Sequence, residues 1–455
     1  MTAVPLRPRA PWLAVLGVTL ALLGPGASLG QQPLKKTEVR IRDQVRRTAD
    51  AQVQLLQRVV DIPSGTLNLA GVRRVGDVFR AEFDALGFKT RWVEMPPEMG
   101  RAGHLMAEHA GRPGALRVLL IGHLDTVYEG PGQGFVRDGP VARGAGSLDM
   151  KGGDVIILTA LRALKEAGAL NDLTVTVVFT GDEESVGEPI AVARQELIEA
   201  ARRCDVALAF EAGFRDTAVV ARRGSSSWRL TVTGTQAHSS GIFGESAGYG
   251  AIFESARILD DFRRALAGEQ YLTFNPGVMV GGTEARLDAS ADSGNASGKD
   301  NIVAGRASVS GDLRFLSEEQ KERARARMRE IVSRSLPGTS AEIAFTDAYP
   351  AMSPTPGNSR LLAVYDAASQ ALGHGKVEAF DPGKRGAGDI SFVAPLIDSL
   401  DGLGAIGSGS HSPREEVQLA SLTMQAERTA LMLYRLSLQP RVLEKAGRSS
   451  QPRKD

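Results

Sequence analysis

The chain has 455 residues, more than one hydrophobic core usually serves, and therefore predicts two domains. Its 54 basic and 53 acidic residues give a net charge of +1, which excludes the strong positive field that binding to nucleic acid or an anionic membrane requires. Apolar residues make up 42% of the chain and charged residues 24%, as in globular and not in disordered proteins. Small neutral or zwitterionic molecules remain as the expected partners.

The first thirty residues have the composition of an export signal. Two arginines precede an apolar stretch from Trp12 to Leu23, and small, turn-prone residues follow it. A membrane anchor needs about 20 apolar residues, so this shorter stretch favours a cleaved signal peptide over residues 1–30. We therefore expect a periplasmic or secreted protein with no stable membrane association after cleavage. The single cysteine, Cys204, allows no intramolecular disulfide, and its apolar neighbours predict a buried side chain.

The next part of the chain alternates helices and strands. Apolar residues recur at helical spacing in some segments and form short continuous runs in others. The pattern predicts helices at 37–60, 70–86 and 153–167 and strands at 116–122, 173–179 and 207–210. A strand, a helix and a second strand in this order are typical of a βαβ unit. We therefore expect an α/β fold with a mostly parallel sheet, and assign residues 31–220 to the first part of its larger domain.

The pattern changes after residue 220. Half-buried strands now alternate with longer helices, which is typical of a small α+β domain with an antiparallel sheet. The predicted elements are strands 226–233, 278–280 and 307–315 and helices 250–266 and 317–336. We assign residues 221–337 to this inserted domain, with 287–300 as a loop. Helical segments then resume at 358–372 and 419–438, so residues 338–440 complete the larger domain, and the polar tail 441–455 is predicted to be disordered.

Histidine and carboxylate side chains follow the ends of the predicted strands, where α/β sheets gather their ligand-binding loops. His123 and Asp125 come at the end of the first strand and face the same side, because side chains alternate along extended backbone. Further acidic residues follow the next two strands, and a late histidine lies in a glycine-rich loop. The set that we expect at one rim of the sheet is His123, Asp149, Glu183, Glu184, Glu211 and His411.

So many carboxylates are costly to hold together unless a cation neutralises them. Mixed nitrogen and oxygen ligands suit Zn²⁺, with Mn²⁺ or Co²⁺ as weaker alternatives. Five ligands with one shared carboxylate would hold two metal ions. Glu183 and Glu184 point to opposite sides of an extended segment, so one can bind metal while the other acts as a general base.

These motifs, in this order and spacing, resemble those of the two-zinc exopeptidase and deacylase family, which contains acetylornithine deacetylase, succinyl-diaminopimelate desuccinylase and glutamate carboxypeptidase. The motifs are His123-Leu124-Asp125, Asp149-Met150-Lys151-Gly152-Gly153, Asp182-Glu183-Glu184, Glu211 and His411. The resemblance spans most of the chain. It implies a zinc-peptidase catalytic domain in the larger domain and a lid and dimerisation domain in the inserted one.

Carried over residue by residue, the resemblance implies one zinc held by His123 and Glu211 and a second held by Glu184 and His411. Asp149 would bridge the two ions. It also implies that Asp125 orients His123, and that Glu183 is the general base and later the acid that protonates the leaving amine. The two zinc ions would polarise the scissile carbonyl and stabilise the oxyanion.

The resemblance assigns a further role to His238, in the segment Gly234-Thr235-Gln236-Ala237-His238-Ser239-Ser240 of the lid. In the family this histidine assists the oxyanion, often in the partner subunit's site, and the lid is the usual dimerisation surface. The resemblance therefore implies a homodimer through the lid. Without the resemblance, the sequence favours an exposed residue at a strand end for His238; the resemblance favours the catalytic role.

Three further residues are candidates for substrate binding: Arg314, Asn275 and Arg223. A planar guanidinium grips a free carboxylate with two hydrogen bonds, which an exopeptidase acting at a C-terminal residue requires. The arginine that matches Arg314 has this role in glutamate carboxypeptidase. The alternatives are a surface salt bridge for Arg314 and a solvated hinge for Arg223. The loop Gly386–Asp389 has Ala387 in place of one of the family's glycines, which affects the expected shape of the pocket.

We expect a zinc-dependent metallopeptidase that hydrolyses the amide bond before a C-terminal amino acid of a small peptide or N-acyl amino acid. An N-acyl-amino-acid deacylase or a dipeptidase of the same family is the alternative, because the bond cleaved is chemically the same. A non-catalytic binding protein with the same fold is a third alternative. The presence of Glu183 and all the presumed ligands argues against it.

Overall fold

The computed structural model describes residues 33–131, 133–288 and 292–438. The predicted signal peptide and the predicted disordered tail therefore lie outside the described residues. None of the described helices is long and apolar enough to span a membrane. The described helices are α1 (Lys36–Arg47), α2 (Ala49–Val60), α3 (Leu69–Ala85), α4 (Lys151–Glu166), α5 (Ile190–Ala193), α6 (Gln195–Arg203), α7 (Gly250–Leu266), α8 (Glu318–Val332), α9 (Pro356–Ala371), α10 (Ile390–Val393) and α11 (Leu419–Leu438).

The strands form several sheets, and one antiparallel sheet combines strands of the predicted lid with the strand that follows residue 337. The described strands are β1 (Lys89–Val93), β2 (His104–His109), β3 (Leu116–His123), β4 (Val136–Asp138), β5 (Val141–Arg143), β6 (Leu173–Thr180), β7 (Val206–Ala209), β8 (Thr217–Ala218), β9 (Gly224–Gly234), β10 (Thr273–Gly282), β11 (Glu284–Leu287), β12 (Gly294–Ser297), β13 (Arg306–Phe315), β14 (Thr339–Asp347), β15 (Glu378–Ala379), β16 (Asp398–Leu400), β17 (Gly407–Ser408) and β18 (Glu416–Gln418).

The central sheet has the strand order β1-β2-β6-β3-β7-β16 within the described residues. β6, β3, β7 and β16 run parallel, while β2 pairs antiparallel with both β1 and β6. The inner strands β3 and β6 are almost fully buried because helices cover the sheet, as continuous apolar strands require. The predicted α/β class and mostly parallel sheet are thus confirmed. They place the carboxyl ends of β6, β3 and β7 side by side.

A second sheet contains three strands of the predicted lid and β14, which lies just beyond the predicted boundary at 337. Its strand order is β10-β13-β9-β14, and every neighbouring pair is antiparallel. Alternate residues of β9 are buried, and Trp228, Leu230 and Val232 pack with Ile258 and Phe262 of α7 in a hydrophobic cluster separate from that of the central sheet. This is the α+β content that the sequence predicts. The domain boundaries at 220 and 337 stay a prediction.

Two local predictions are wrong. The helical segment 37–60 is interrupted at Thr48, whose hydroxyl donates to the carbonyl of Val45 at 2.9 Å and separates α1 from α2. The segment 287–300, predicted as a loop, contains β12, which pairs with β11 as a short antiparallel ribbon. β12 consists of small and polar residues, so apolar and polar side chains do not alternate along it. It can therefore be recognised only by its backbone pairing with β11.

Candidate metal centre

Three adjacent strand ends supply the first side chains of the site. His123 is the last residue of β3 and is buried with 1% exposure. Glu183 and Glu184 follow the end of β6, which is paired with β3, and Glu211 follows the end of β7 on the other side of β3. Asp149 lies just before α4, where the positive end of the helix dipole favours a carboxylate.

The two histidines lie on either side of Asp149. Nε2 of His123 is 3.4 Å from Oδ1 of Asp149, and Nε2 of His411 is 3.3 Å from its other oxygen, Oδ2. Glu211 Oε1 lies 3.8 Å from His123 Nε2, and Glu184 Oε2 lies 3.2 Å from His411 Nε2. The structure therefore brings the five predicted ligands together in two histidine–carboxylate groups that share Asp149.

The donor atoms fit a pair of metal cations. Nε2 of His123 and Oε1 of Glu184 are buried and have no hydrogen-bond partner within the described residues. An unpartnered buried imidazole nitrogen and carboxylate oxygen are costly, and a cation between them removes the cost. A nitrogen and oxygen donor set with one shared carboxylate suits two divalent ions. The individual ligand assignments stay a prediction.

Asp125 contacts both His123 and the loop that carries Glu183 and Glu184. His123 Nδ1 lies 3.1 Å from the backbone oxygen of Asp125 and 3.4 Å from its Oδ1. The same carboxylate accepts hydrogen bonds from the backbone N–H groups of Glu183 and Glu184, both at 3.1 Å, and from the hydroxyl of Thr66 at 2.7 Å. Asp125 is therefore placed to hold His123, as expected, and also the glutamate loop, which the sequence did not indicate.

The pKa values of the carboxylates shift in opposite directions, because burial and mutual repulsion raise them and the histidines lower them. Burial, followed by the charge of Glu211, raises the pKa of Glu183 well above its usual value. Burial and Asp149 likewise raise the pKa of Glu211 to about 7. Burial also acts to raise the pKa of Asp149, but hydrogen bonds with His123 and His411 outweigh it and lower the pKa. A buried carboxyl with a raised pKa is suited to receive and return a proton near neutral pH.

The family model "Peptidase family M20/M25/M40" matches residues 119–435. The chain belongs to this peptidase family. The family is metal-dependent, and this M20-family chain is a metallopeptidase, a hydrolase.

Curated relatives cover most of this M20 peptidase. It is 28% identical over 386 residues to carboxypeptidase G2 from Pseudomonas sp. (strain RS-16), covering 80% of this chain and 84% of the relative. It is 27% identical over 367 residues to succinyl-diaminopimelate desuccinylase from Acidiphilium cryptum, covering 77% of this chain and 90% of the relative.

Solved structures share the fold. Aminopeptidase PepT from Bacillus cereus superposes with a TM-score of 0.67 at 19% identity, covering 85% of this chain and 98% of that one. A dinuclear metal binding peptidase of the M20 family from Bacillus subtilis superposes with a TM-score of 0.60 at 13% identity, covering 86% and 99%. At these identities the likeness shows the fold alone.

The prediction of a periplasmic or secreted protein is wrong. The succinyl-diaminopimelate desuccinylases among the relatives are cytoplasmic enzymes. The predicted signal peptide, residues 1–30, lies outside the described residues, so the structure gives it no support. The prediction rested only on two arginines followed by an apolar stretch. This is a short local pattern, and the similarity to known proteins does not support its interpretation as an export signal.

The lid residues predicted to act on the substrate are not brought to the metal centre by any described contact. His238 is exposed at the end of the segment after β9, and its Nδ1 lies 2.8 Å from the hydroxyl of Ser240. Asn275 is exposed on β10. Arg314 on β13 pairs with Asp312, its Nε 2.9 Å from Oδ2. Arg223 donates to the Thr273 hydroxyl at 3.1 Å. Their functional roles stay predictions.

Thr273 places two of these candidates on one face of the sheet. In the register of β10 and β13, Thr273 is the partner of Arg314, and the Arg223 guanidinium reaches its hydroxyl. Both guanidinium groups therefore lie at the same end of the lid sheet, where the chain enters from the central sheet.

Sequence reasoning missed the residues that support the ligands. Glu415 accepts hydrogen bonds from the backbone N–H groups of Gly146, Leu148 and Asp149 at 3.1, 2.7 and 3.0 Å, and so holds the loop that carries Asp149. Glu415 follows the His411 loop in sequence, but neither periodicity nor spacing distinguishes it from a surface glutamate. Only the loop contact reveals its role.

A buried arginine joins two acidic loops of the site. Arg194 is fully buried, and it contacts Asp182 Oδ1 at 2.6 Å and Asp389 Oδ1 at 2.7 Å. Asp389 also accepts a hydrogen bond from the Thr180 hydroxyl at 2.7 Å. This ion triad ties the Asp182–Glu184 segment to the Gly386–Asp389 loop.

The remaining histidines have contacts of their own outside the predicted ligand set. His104 bonds to the Ala193 carbonyl at 2.8 Å through Nε2, and the Gly181 N–H contacts its Nδ1. His374 contacts Glu427 at 2.6 Å. His109 packs against Phe88.

Proposed function

We propose that this chain is a two-zinc carboxypeptidase that hydrolyses the amide bond before a C-terminal amino acid of a small peptide or N-acyl amino acid. The observation that carries the proposal is the pair of histidine–carboxylate groups sharing Asp149, with Glu183 beside them. The similarity to carboxypeptidase G2 over most of both chains supports the carboxypeptidase assignment. The nitrogen and oxygen ligands support zinc.

In the proposed mechanism, two zinc ions would be held by His123, Glu211, Asp149, Glu184 and His411 and would supply Lewis-acid polarisation of the scissile carbonyl. Glu183 lies with an oxygen within 4.8 Å of donor atoms of His123 and Glu211. It takes a proton from the attacking water and returns it to the leaving amine. Its raised pKa, caused by burial, suits it to hold that proton between the two steps.

Asp125 keeps the base in place during both steps. Its carboxylate accepts the backbone N–H of Glu183, and the Tyr349 hydroxyl donates to the Glu183 carbonyl at 3.1 Å. Both contacts hold the backbone of Glu183, so its carboxyl group moves by rotation about the side-chain bonds. On closure of the lid, Arg314 and Asn275 would bind the C-terminal carboxylate, with Arg223 beside them, and His238 would assist the oxyanion.

The alternative function is an N-acyl-amino-acid deacylase or dipeptidase. Several relatives are succinyl-diaminopimelate desuccinylases, and the metal centre would perform the same hydrolysis on an acyl group. Product analysis on N-acyl amino acids and on dipeptides separates the two. Release of acyl acid alone favours the deacylase, and release of C-terminal residues from peptides favours the carboxypeptidase.

We also propose a homodimer through the four-stranded lid sheet and α7. Phe243, Ile252, Phe253 and Met279, on and near α7 and β10, are 57%, 44%, 50% and 44% exposed. A cluster of exposed large apolar side chains is typical of a protein interface.

The Glu183→Gln variant tests the mechanism. The amide keeps the size of the side chain but accepts no proton, so we expect turnover to fall by about 10²–10⁴-fold. Metal content, measured by atomic emission, should stay at about two equivalents per chain. The matched control is Glu188→Gln in the same loop, which should keep full activity. Unchanged hydrolysis in Glu183→Gln, or in protein stripped by a chelator, would contradict the mechanism.

A further inference from the structure

Two arginines beside the metal centre have hydrogen-bonding groups that the described protein leaves unused. Arg222 precedes β9 and is 3% exposed. Its Nε contacts Asp401, and its Nη1 donates to the carbonyls of Gly386 and Ala387 at 3.0 and 2.9 Å. Its Nη2 is buried and has no partner among the described residues. One edge of this guanidinium is thus fixed by the fold, and one N–H group is free.

Arg385 is the second of these arginines, and the fold holds it by a single side-chain bond. Its Nη2 donates to the carbonyl of Ala212 at 2.7 Å, and Ala212 directly follows Glu211. Its Nε is buried without a partner, and within the described residues Arg385 forms no ion pair. The side chain is half-buried, so a charged group is held at the edge of the metal centre without an opposite charge of its own.

The two guanidinium groups and the metal ligands act on one another electrostatically. Burial and the charge of Arg222 lower the pKa of Arg385, while Asp401, Glu211 and Asp149 raise it. Burial and Asp149 raise the pKa of Glu211, and Arg222 acts in the opposite direction. The loop that directly follows Arg385 contacts Arg222, because Arg222 Nη1 donates to the carbonyls of Gly386 and Ala387.

The metal ligands cannot neutralise these arginines once metal is bound. The three carboxylates Asp149, Glu184 and Glu211 carry three negative charges, against four positive charges on two divalent ions. The ligand carboxylates and the two ions alone would therefore carry one positive charge, and Asp125 beside His123 would offset no more than that, so no negative charge of the centre is left over for Arg385. Arg222 is paired with Asp401, whereas Arg385 has no ion pair among the described residues, so a bound anion would offset the cost of holding the Arg385 charge there. A guanidinium matches a carboxylate in shape and charge.

We propose that Arg222 and Arg385 bind a second carboxylate of the substrate, one separate from the C-terminal carboxylate assigned to Arg314. The substrate would then be a dicarboxylic amide. Its second carboxylate lies either on the acyl group or on the side chain of the released amino acid. Arg385 is the specificity-determining residue, and Arg222, held by Asp401 and the two loop carbonyls, adds the N–H group of its unpartnered Nη2. This inference rests on the proposed amide hydrolysis and names its substrate class.

The test compares each acidic substrate with its neutral amide. The acyl-group pair is N-succinyl-alanine and N-succinamoyl-alanine, and the side-chain pair is N-acetyl-glutamate and N-acetyl-glutamine. We expect the wild-type enzyme to prefer one acid over its amide by about 10- to 100-fold in kcat/KM. In Arg385→Gln that preference should disappear through KM, with hydrolysis of the neutral amide unchanged.

Two further variants separate the specificity role from a structural one. Arg385→Lys keeps the charge but loses the planar fork, and should retain part of the preference. Lys384→Gln removes an exposed neighbouring charge and should retain all of it. The substrate pair that loses its preference for the acid in Arg385→Gln shows whether the second carboxylate lies on the acyl group or on the side chain of the released amino acid. Absence of a preference in the wild-type enzyme, or equal losses on acid and amide in Arg385→Gln, would overturn the inference.

A binding measurement keeps this test separate from the proposed function. If the metal-loaded enzyme hydrolyses none of the four compounds, the proposed hydrolysis fails for this substrate class. Calorimetric binding of succinate and succinamate to metal-loaded wild-type and Arg385→Gln protein then decides the inference. Tighter binding of succinate by the wild type alone supports the anion site, and equal binding by both proteins overturns it.

Discussion

One carboxylate, Asp125, organises much of the metal centre at the scale of single residues. It is fully buried and contacts His123, the Thr66 hydroxyl and two backbone N–H groups of the glutamate loop. Replacing a residue that orients metal ligands in this way typically lowers metal affinity by about 10- to 100-fold. The short sequence distance from His123 predicts the first contact, whereas the others depend on the approach of distant segments.

Asp125→Asn should weaken metal binding by about 10- to 100-fold. The amide group offers one acceptor where the carboxylate offers two, so one N–H of the glutamate loop loses its partner. Competition with a chromophoric chelator measures the affinity. Asp138→Asn, an exposed change on β4, is the matched control and should bind metal normally. Wild-type affinity in Asp125→Asn would show that Asp125 does not position the ligands.

Metal binding should release protons and strengthen as the pH rises. Hydrogen bonds with Asp149 and Glu184 raise the pKa of His411 to about 10 in the metal-free protein. The imidazole is therefore protonated at pH 7, and a metal ion must displace that proton. Because the proton competes below pH 10, affinity should increase with pH up to that value. Calorimetry in buffers of different ionisation enthalpy counts the protons, and a count of zero would contradict the prediction.

At the scale of elements, a buried ion triad connects the end of β6, the start of α6 and the loop before α10. Arg194 has 0% exposure, as does Asp182, and Asp389 has 3%. Burying these charges is costly, and only the mutual contacts compensate for the cost. The triad therefore keeps the glutamate loop and the Gly386–Asp389 loop in a fixed relation.

Arg194→Met should destabilise the fold by about 3–5 kcal/mol, because it leaves two buried carboxylates without their cation. Urea unfolding measures the change. Arg203→Met, at the exposed end of the same helix, is the control and should change stability by about 0.5 kcal/mol or less. A loss in Arg194→Met no larger than that of the control would show that the triad contributes nothing to stability.

The sequence predicted best those elements in which the apolar residues follow one clear pattern, either helical spacing or a continuous run. The helix predicted at 250–266 coincides with α7, and the predicted strands 116–122 and 173–179 differ from β3 and β6 by one residue at the carboxyl end. β1 and β2 were missed, since neither has the continuous apolar run of the inner strands. They occupy the antiparallel edge of the sheet, where polar residues are tolerated.

At the scale of the whole molecule, a cluster of exposed apolar side chains lies on and near α7 and β10 of the predicted lid. The largest exposed side chains of this group, Phe243 and Phe253, also pack against each other, with ring centroids 5.4 Å apart. Burying such an aromatic pair against a second chain would gain both apolar area and ring packing. The metal centre lies on the other sheet, so assembly and metal binding are separable.

If the proposed homodimer forms through this surface, Phe253→Lys should convert it to a monomer at micromolar concentration, because a charge would then be buried in the interface. Sedimentation velocity measures the mass. Val192→Lys is the control, an exposed apolar position on α5 away from the lid, and should leave the mass unchanged. Metal content should be normal in both variants. A monomeric wild-type protein would contradict the proposed homodimer.

The sequence by itself determined the α/β class, the family resemblance and the residues that stand at strand ends. These properties follow from local periodicity and from motifs such as His123-Leu124-Asp125, which need no knowledge of distant segments. Tertiary structure decided that Asp149 lies between His123 and His411, and that Arg385 reaches the carbonyl beside Glu211. The reason is physical: the order of strands in a sheet depends on long-range pairing and burial, and this order sets the distances between loops that are far apart in the chain.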